Sequence, residues 1–443
     1  MINRREFLGA SLRGAAGATL AALASHTRQS AAAAGAARPN IVLVLADDLG
    51  YETLGAYGCT SYKTPELDRL AATGLRFQHC YSQPLCTPSR VEMLTGIYNV
   101  RNYRRFGYMD RDQVTLAQLL KKAGYATCVS GKWQLGHEAD SPSHFGFDEY
   151  CLWNAYETGG RYANPGLYVN GKAEKYPGKF GPDIVSDFAC GFLERNRNRP
   201  FLLYYPMILV HQPFVPTPDS ADWHKKQGGN AAVEYFPDMV AYMDKLVGKL
   251  VRQLDELGLR DDTIVMFTGD NGTPTPCTSM CNGKPIKGGK GGMGDGGTHV
   301  PLIASWPRFI KEGKVLNDLV DFSDFLPTCC EAGGAEVPAE LKIDGRSFLP
   351  QLKGEKGNPR EWIYCWFARD GGPAGSEWAR NQRYKMGRGG GMVEVQSDGE
   401  EVPARADDPE ARRARPILQA ALDKYHNARP AEFARQVGTG GKK

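Results

Sequence analysis

The stretch Asn40–Ala46, NIVLVLA, followed at once by Asp47 and Asp48, decides how the rest of the chain is read. Six successive apolar residues, three of them β-branched, lack the polar alternation of a half-exposed strand. They predict a strand covered on both faces, as in a largely parallel sheet flanked by helices. In such sheets ligands bind beyond the carboxyl ends of the strands, so two carboxylates at that position mark a candidate site.

Working outward, the same alternation of strand and helix patterns continues. Thr64 and Pro65 offer an N-cap and a first-turn proline before Leu67, Leu70 and Ala71 at helical spacing, with Gly74 as the stop. Thr115 and Gln118 form a capping-box pair ahead of a helix ended by Gly124. Strands are expected over 125–130, 201–210, 263–268 and 300–306, with helices over 183–195 and 239–257. After about Lys353 the pattern changes to short strand-like pieces at 362–367 and 382–386, a glycine turn at 389–391 and a charged helix over 416–425. The fold class expected is α/β: a large, mostly parallel sheet flanked by helices, with a smaller C-terminal α+β subdomain. The expected division is 1–37 as a leader, 38–353 as the catalytic domain and 354–443 as the subdomain.

The first 37 residues read as an export signal. Arg4-Arg5 ahead of Glu6-Phe7-Leu8 resembles the twin-arginine pattern, and an Ala-rich stretch with A-x-A character follows. This implies passage through the twin-arginine export machinery and a periplasmic or secreted mature protein. The apolar run is broken by Arg13, and no other segment is long enough for a membrane helix, so stable membrane insertion is not expected. The formal charge is +4. Four arginines against one glutamate in the leader leave 50 basic and 49 acidic residues in the rest, a balance that does not suggest a nucleic-acid binder. Eleven cysteines, an odd number, raise the question of which one is special, and none stands in a C-x-x-C pair.

Two further patterns carry chemistry. Asp270 and Asn271 follow the 263–268 run as Asp47 and Asp48 follow theirs. Each pair alone is more often a turn; together they place three carboxylates and an amide at one sheet edge, a donor set suited to calcium or magnesium. Cys86-Thr87-Pro88-Ser89-Arg90 opens a short helix, with Thr87 as its expected cap and Gly96 as its end. That puts Cys86 at a helix N-terminus, where an anion is favoured, and Arg90 one turn in, suited to a tetrahedral oxyanion. A buried structural cysteine before a proline-started helix is the competing reading.

Cys86-x-Pro-x-Arg90 resembles the signature of the type I sulfatases, formylglycine-dependent members of the alkaline-phosphatase-like superfamily. PNIVLVLADDLG, Leu94-Thr95-Gly96, Gly131-Lys132-Trp133, FTGDNG and GKGGMGDGGTHVPLI follow in that family's order. The resemblance implies hydrolysis of a sulfate ester, on a sulfated carbohydrate or another small organic sulfate. It implies that a formylglycine-generating enzyme converts Cys86 to an aldehyde, whose hydrate supplies one oxygen to attack sulfur and a second to expel sulfate. It further implies one calcium ion held by Asp47, Asp48, Asp270, Asn271 and the modified Cys86. Asp270 would also accept the nucleophile's proton. Arg90 and Lys132 would hold the nucleophile and sulfate oxygens, His211 would contact sulfate and protonate the leaving group, and Lys290 would face the leaving oxygen.

One position departs from the family's pattern. Gln134 stands where a histidine usually follows Lys-Trp, and glutamine does not titrate near neutral pH. His137, three positions on, is a candidate substitute. A phosphonate or phosphate ester hydrolase of the same fold, and a catalytically silent binding protein, are the rival readings. Segments 156–168, 223–236 and 378–388, rich in aromatic and basic residues, are expected to rim the substrate pocket.

Overall fold

In the computed structural model, residues 38–224 and 232–433 are described, so the leader expected over 1–37 lies outside the described residues. Ten strands form the main sheet: β1 Asn40–Ala46, β2 Leu75–Tyr81, β3 Ala126–Lys132, β4 Glu149–Trp153, β5 Gly166–Val169, β6 Lys172–Lys175, β7 Phe201–Pro206 and β8 Thr263–Gly269, then, beyond a small hairpin of β9 Thr278–Cys281 and β10 Lys284–Lys287, β11 His299–Ser305 and β12 Lys314–Asp321. Their spatial order is β12-β2-β11-β8-β1-β7-β3-β4-β5-β6. The central five, β8-β1-β7-β3-β4, run parallel.

The sheet as a whole is mixed. β11 is antiparallel to both β2 and β8. No crossover helix intervenes between β8 and β11 among the elements of that connection, so the chain returns from the edge where β8 ended and must run back. β2 consequently points the same way as β8, and both end at the same edge as β1, β3 and β7.

β1 is buried throughout. Its side chains alternate between two cores: Ile41, Leu43 and Leu45 pack on one face, Val42, Val44 and Ala46 on the other. The first face is covered by α2 Cys86–Thr95, α3 Leu116–Lys122 and α6 Phe325–Gly333; the second by α1 Pro65–Ala72, α4 Gly181–Arg195 and α5 Phe236–Glu256. Burial on both sides is why the strands read as unbroken apolar runs.

Several local expectations hold in detail. The Thr115–Gln118 capping box is present, and α3 leads into Gly124 at φ 89°. Others shift. Thr64 occupies the N-cap position of α1 but makes no capping bond; Asp244, on α5, accepts from the backbone N–H groups of Glu66 and Leu67 instead. The helix expected to open at Pro88 with Thr87 as its cap starts two residues earlier, at Cys86, with Leu85 as N-cap, and the Thr87 hydroxyl accepts from Gly107 N. β7 stops at Pro206 rather than 210, because 207–210 turn to pair with Asp47 beyond the end of β1. The last helix, α7 Pro409–Tyr425, begins seven residues before Pro416 with Asp408 as its N-cap.

The C-terminal part forms an antiparallel sheet, β13 Ile363–Phe367, β14 Ser376–Arg380, β15 Tyr384–Gly387, β16 Met392–Val395 and β17 Glu401–Pro403, backed by α7. Buried ion pairs join it to the main sheet. Arg380 pairs with Asp295, and Arg360 spans both oxygens of Asp324 through Nε at 2.8 Å while reaching Ser323 and the Asp344 carbonyl. Among the described residues no helix is long and apolar enough to cross a membrane.

Removing Arg360 would strand the buried Asp324 carboxylate, which costs more than the pair contributes when intact. Arg360→Met is expected to lower unfolding stability by about 3–5 kcal/mol, read from denaturant midpoints. A midpoint equal to that of the parent would show that the pair is not what fastens the C-terminal sheet.

Candidate active site

Four neighbouring parallel strands deliver side chains to one edge. β1 leads into Asp47 and Asp48, β8 into Asp270 and Asn271, β3 ends in Lys132, and the chain beyond β7 reaches His211. β2 points to the same edge and feeds Cys86 at the first turn of α2, while the loop before β11 carries Lys290. The residues expected from the sequence are brought together: ligand atoms of Asp47, Cys86 and Asp270 lie within 4.8 Å of one another, as do those of Asp47, Asp48 and His211.

The backbone is specialised to permit this. Asp48 has φ 66° and Gln134 φ 56°, the left-handed region, turning their side chains off the strand path. At Gly131 a Cβ would stand 1.9 Å from the Pro206 carbonyl oxygen, so only glycine lets β3 approach β7 beside Lys132. The glycine-rich loop that bears Lys290 is stitched down by Lys290 N to Thr273 O at 3.0 Å and Gly291 N to Pro84 O at 2.9 Å.

Each carboxylate has a cationic partner. Lys132 Nζ donates to Asp47 Oδ1 at 2.8 Å, Lys290 Nζ to Asp48 Oδ2 at 2.6 Å, and Arg90 Nη2 to Asp270 Oδ2 at 2.9 Å. Arg90 Nη1 also donates to the Lys132 carbonyl at 2.8 Å, tying α2 to the end of β3. Burial opposes ionisation of Asp47, but Lys132, His211, Arg90 and Lys290 outweigh it and hold the carboxyl well below its usual range. Asp270 goes the other way: burial and the Asp47 charge push it up to about 6 against the pull of Arg90 and Lys132. Burial likewise raises the Cys86 thiol, which Lys132 offsets only in part. That thiol donates to Gln134 Oε1 at 2.8 Å.

Two buried oxygens in this cluster, Asp47 Oδ2 and Asn271 Oδ1, have no hydrogen-bond partner among the described residues. The Asn271 amide is oriented by its nitrogen, which donates to Asp48 Oδ1 at 2.9 Å and Gly272 O at 3.0 Å, so its free oxygen is an acceptor held in place. Acceptor-only oxygens buried beside two further carboxylates fit a hard divalent cation, and the four residues Asp47, Asp48, Asp270 and Asn271 are the ones that would hold it.

His211 Nδ1 lies 2.9 Å from Arg161 Nη1 and 2.6 Å from Gln212 O. The first contact needs a lone pair on Nδ1 and the second a proton. The guanidinium only donates and the carbonyl only accepts, so the two contacts select opposite protonation states of Nδ1, while Nε2 lies 3.7 Å from Asp48 Oδ2. Burial lowers the His211 pKa, with Asp47 and Asp48 opposing.

These groups open into a cleft of about 560 Å³ whose walls include Phe106, Trp153, Arg161, Phe367 and Arg369. A family profile described as Sulfatase matches residues 39–335. This chain belongs to the sulfatase family. A second profile, N-sulphoglucosamine sulphohydrolase, C-terminal, matches residues 290–424. The sulfatase chain is 32% identical over 414 residues to steryl-sulfatase of Mus musculus, covering 72% of itself and 65% of that protein. It is 35% identical over 351 residues to N-acetylgalactosamine-6-sulfatase of Homo sapiens, covering 71% and 66%. It thus spans about two thirds of the length of these relatives. Among solved structures, Ps i-CgsB in complex with k-i-k-neocarrahexaose superposes with a TM-score of 0.75 at 26% identity, covering 89% of this chain and 94% of that one.

Sequence reasoning missed most of the cleft wall. Of the three segments expected to rim it, among the described residues only 156–168 contributes, through Arg161, and 225–231 of the second segment lie outside the described residues. Trp378 and Arg380 are buried in β14, on Met293 O and Asp295 respectively, and Trp223 packs against Phe180. His137 bonds the Ala155 carbonyl from an exposed loop and is not part of the cleft lining. Phe106, Trp153 and the pair Phe367 and Arg369 come from three separate segments, with no local pattern to single them out.

Binding of a divalent ion to the native state alone raises stability, by about 2.7 kcal/mol at one hundred times its dissociation constant. Chelator-treated protein is expected to gain a few degrees in Tm on adding calcium or magnesium, and a paired Asp47→Asn, Asn271→Leu variant to gain none. Absence of a shift in the parent with either ion would reject the cation site.

Proposed function

We propose that this sulfatase hydrolyses a sulfate ester on a carbohydrate, with Cys86 converted to formylglycine and one calcium ion at Asp47, Asp48, Asp270 and Asn271. The observation that carries the reading is the meeting of Cys86 with Asp47 and Asp270 at a helix N-terminus, beside two unpartnered buried oxygens. A thiol is a soft ligand in an otherwise all-oxygen site, and formylglycine would replace it with oxygen. The carbohydrate follows from the relatives, one of which is an N-acetylgalactosamine-6-sulfatase and another a protein crystallised with a neocarrahexaose.

When bound, the calcium would polarise a sulfate oxygen, and the formylglycine would supply the attacking oxygen. The chain's own residues do the rest. Arg90, locked on Asp270 and on the Lys132 carbonyl, holds the nucleophile's helix against β3. Lys132 and Lys290, whose ammonium groups stay charged beside Asp47 and Asp48, offer donors to sulfate oxygens. Asp270, raised toward neutrality by burial, accepts the nucleophile's proton. His211, in its imidazolium form with Nδ1–H on Gln212 O, gives its Nε2 proton to the leaving alcohol oxygen and is left as the neutral ring.

Gln134 bears on the release of sulfate. It touches Cys86 Sγ where a titrating side chain would serve as base, and it only hydrogen-bonds. Release is therefore the slow step in this reading. Gln134→His is expected to raise kcat about a hundredfold, the low end of general-base assistance, with a burst of product alcohol in the parent that the variant lacks. Equal kcat and no burst would place the slow step elsewhere.

The modification is tested on protein from its native host. The tryptic peptide 77–90 contains Cys80 and Cys86. It is expected to carry one thiol instead of two and to react with a hydrazine at position 86, and Cys86→Ala protein should not turn over an aryl sulfate. Two intact thiols would favour the silent binding protein, and faster turnover of a phosphonate monoester than of any sulfate would favour the phosphonate reading. A formylglycine-generating enzyme is the partner required in maturation. The Arg4-Arg5 leader would send the folded protein through the twin-arginine machinery to the periplasm or beyond.

A further inference from the structure

The cations of the candidate site fall into two sets. Arg90, Lys132 and Lys290 each answer a carboxylate, so three positive and three negative charges balance. Arg161 and Arg369 line the same cleft, yet among the described residues neither has an acidic side chain in ion-pair contact. Aromatic faces flank them instead. The Arg161 guanidinium carbon lies 4.2 Å from the centre of the Trp153 ring, whose indole N–H is itself held by Gly159 O at 2.9 Å. Arg369 lies 5.6 Å from the centre of the Phe106 ring, and its backbone carbonyl accepts from the Tyr103 hydroxyl at 2.6 Å. Stacking leaves the edges of a guanidinium free to donate, and a planar fork of donors fits a carboxylate or a sulfate.

A single ester sulfate already has Lys132, Lys290 and His211 to receive it. The cleft, at about 560 Å³, is far larger than one such group needs, and Trp153, Phe106 and Phe367 give it ring faces suited to the apolar face of a sugar. We propose that Arg161 and Arg369 form a second oxyanion subsite, so that the preferred substrate is a sugar bearing a further sulfate or carboxylate besides the ester that is cut. The inference rests on the sulfatase reading and sets its substrate class: polyanionic glycans rather than neutral alcohols carrying one sulfate. Arg161 also touches His211, so a change there would disturb the proton donor as well as the subsite. Arg369 is the residue that isolates it.

The test compares kcat/KM for a hexosamine monosulfate, the matching hexosamine disulfate, and a monosulfated hexosamine–hexuronate disaccharide. A charge-assisted contact of this kind corresponds to roughly a ten- to hundredfold preference. The parent is expected to favour at least one two-anion substrate by that factor, with the sulfate and carboxylate arms showing which oxyanion is read. Arg369→Met should remove most of the preference, chiefly through KM, and Arg369→Lys should restore part of it. Equal rates on all three substrates in the parent, or a preference that Arg369→Met leaves intact, would overturn the subsite. Calorimetric binding of the same three compounds to full-length Cys86→Ala protein keeps the two readings apart. Failure of the sulfatase chemistry would abolish turnover while leaving the binding preference, whereas failure of the subsite would abolish the preference while turnover of the monosulfate persists.

Discussion

Three carboxylates buried at one edge of a sheet are the constraint around which this molecule is arranged. Asp47, Asp48 and Asp270 are all at or near zero exposure, and their mutual repulsion in a low-dielectric setting would drive them apart or protonate them. Arg90, Lys132 and Lys290 oppose this by direct pairing, fully at Asp47 and in part at Asp270. Each partner arrives from a different element: a helix, a strand end and a loop. The balance therefore needs the whole fold, and buried pairs of this sort hold only when their geometry is enforced from outside.

That enforcement comes from sheet order. β8, β1, β7 and β3 lie side by side and parallel, so their carboxyl ends coincide, and side chains more than two hundred residues apart become neighbours. The antiparallel β11 is part of the same solution. By running back from the site it lets β2 end at the site edge too, which carries Cys86 to the cluster and makes the N-terminus of α2 face it. The close approach at Gly131 then sets Lys132 against Asp47 within hydrogen-bond range.

The site is asymmetric in a way that charge counting along the chain does not reveal. Its floor is neutralised, its two unpartnered oxygens ask for a cation, and its walls hold guanidiniums stacked on rings. A divalent ion would tip the floor from neutral to positive, the sign an anionic substrate requires. The Gln134–Cys86 contact sets a side chain that does not titrate near neutral pH against the thiol, so it concerns proton transfer rather than binding or shape.

The sequence by itself determined the buried strands and the residues at their ends, because apolar runs and the polar residues that terminate them are local facts. NIVLVLA with Asp47-Asp48, TIVMFT with Asp270-Asn271, the CTPSR turn and the Thr115 capping box were all legible for that reason. Only the tertiary structure decided the reversed direction of β11, the capping of α1 by Asp244, the orientation of the Asn271 oxygen and the wall of Arg161, Trp153, Phe106 and Arg369. Those features join segments with no sequence relation, and contact across such separations is set by how the layers pack. Single arginines and aromatics are common in any chain, and they acquire meaning when packing brings them to the same cleft.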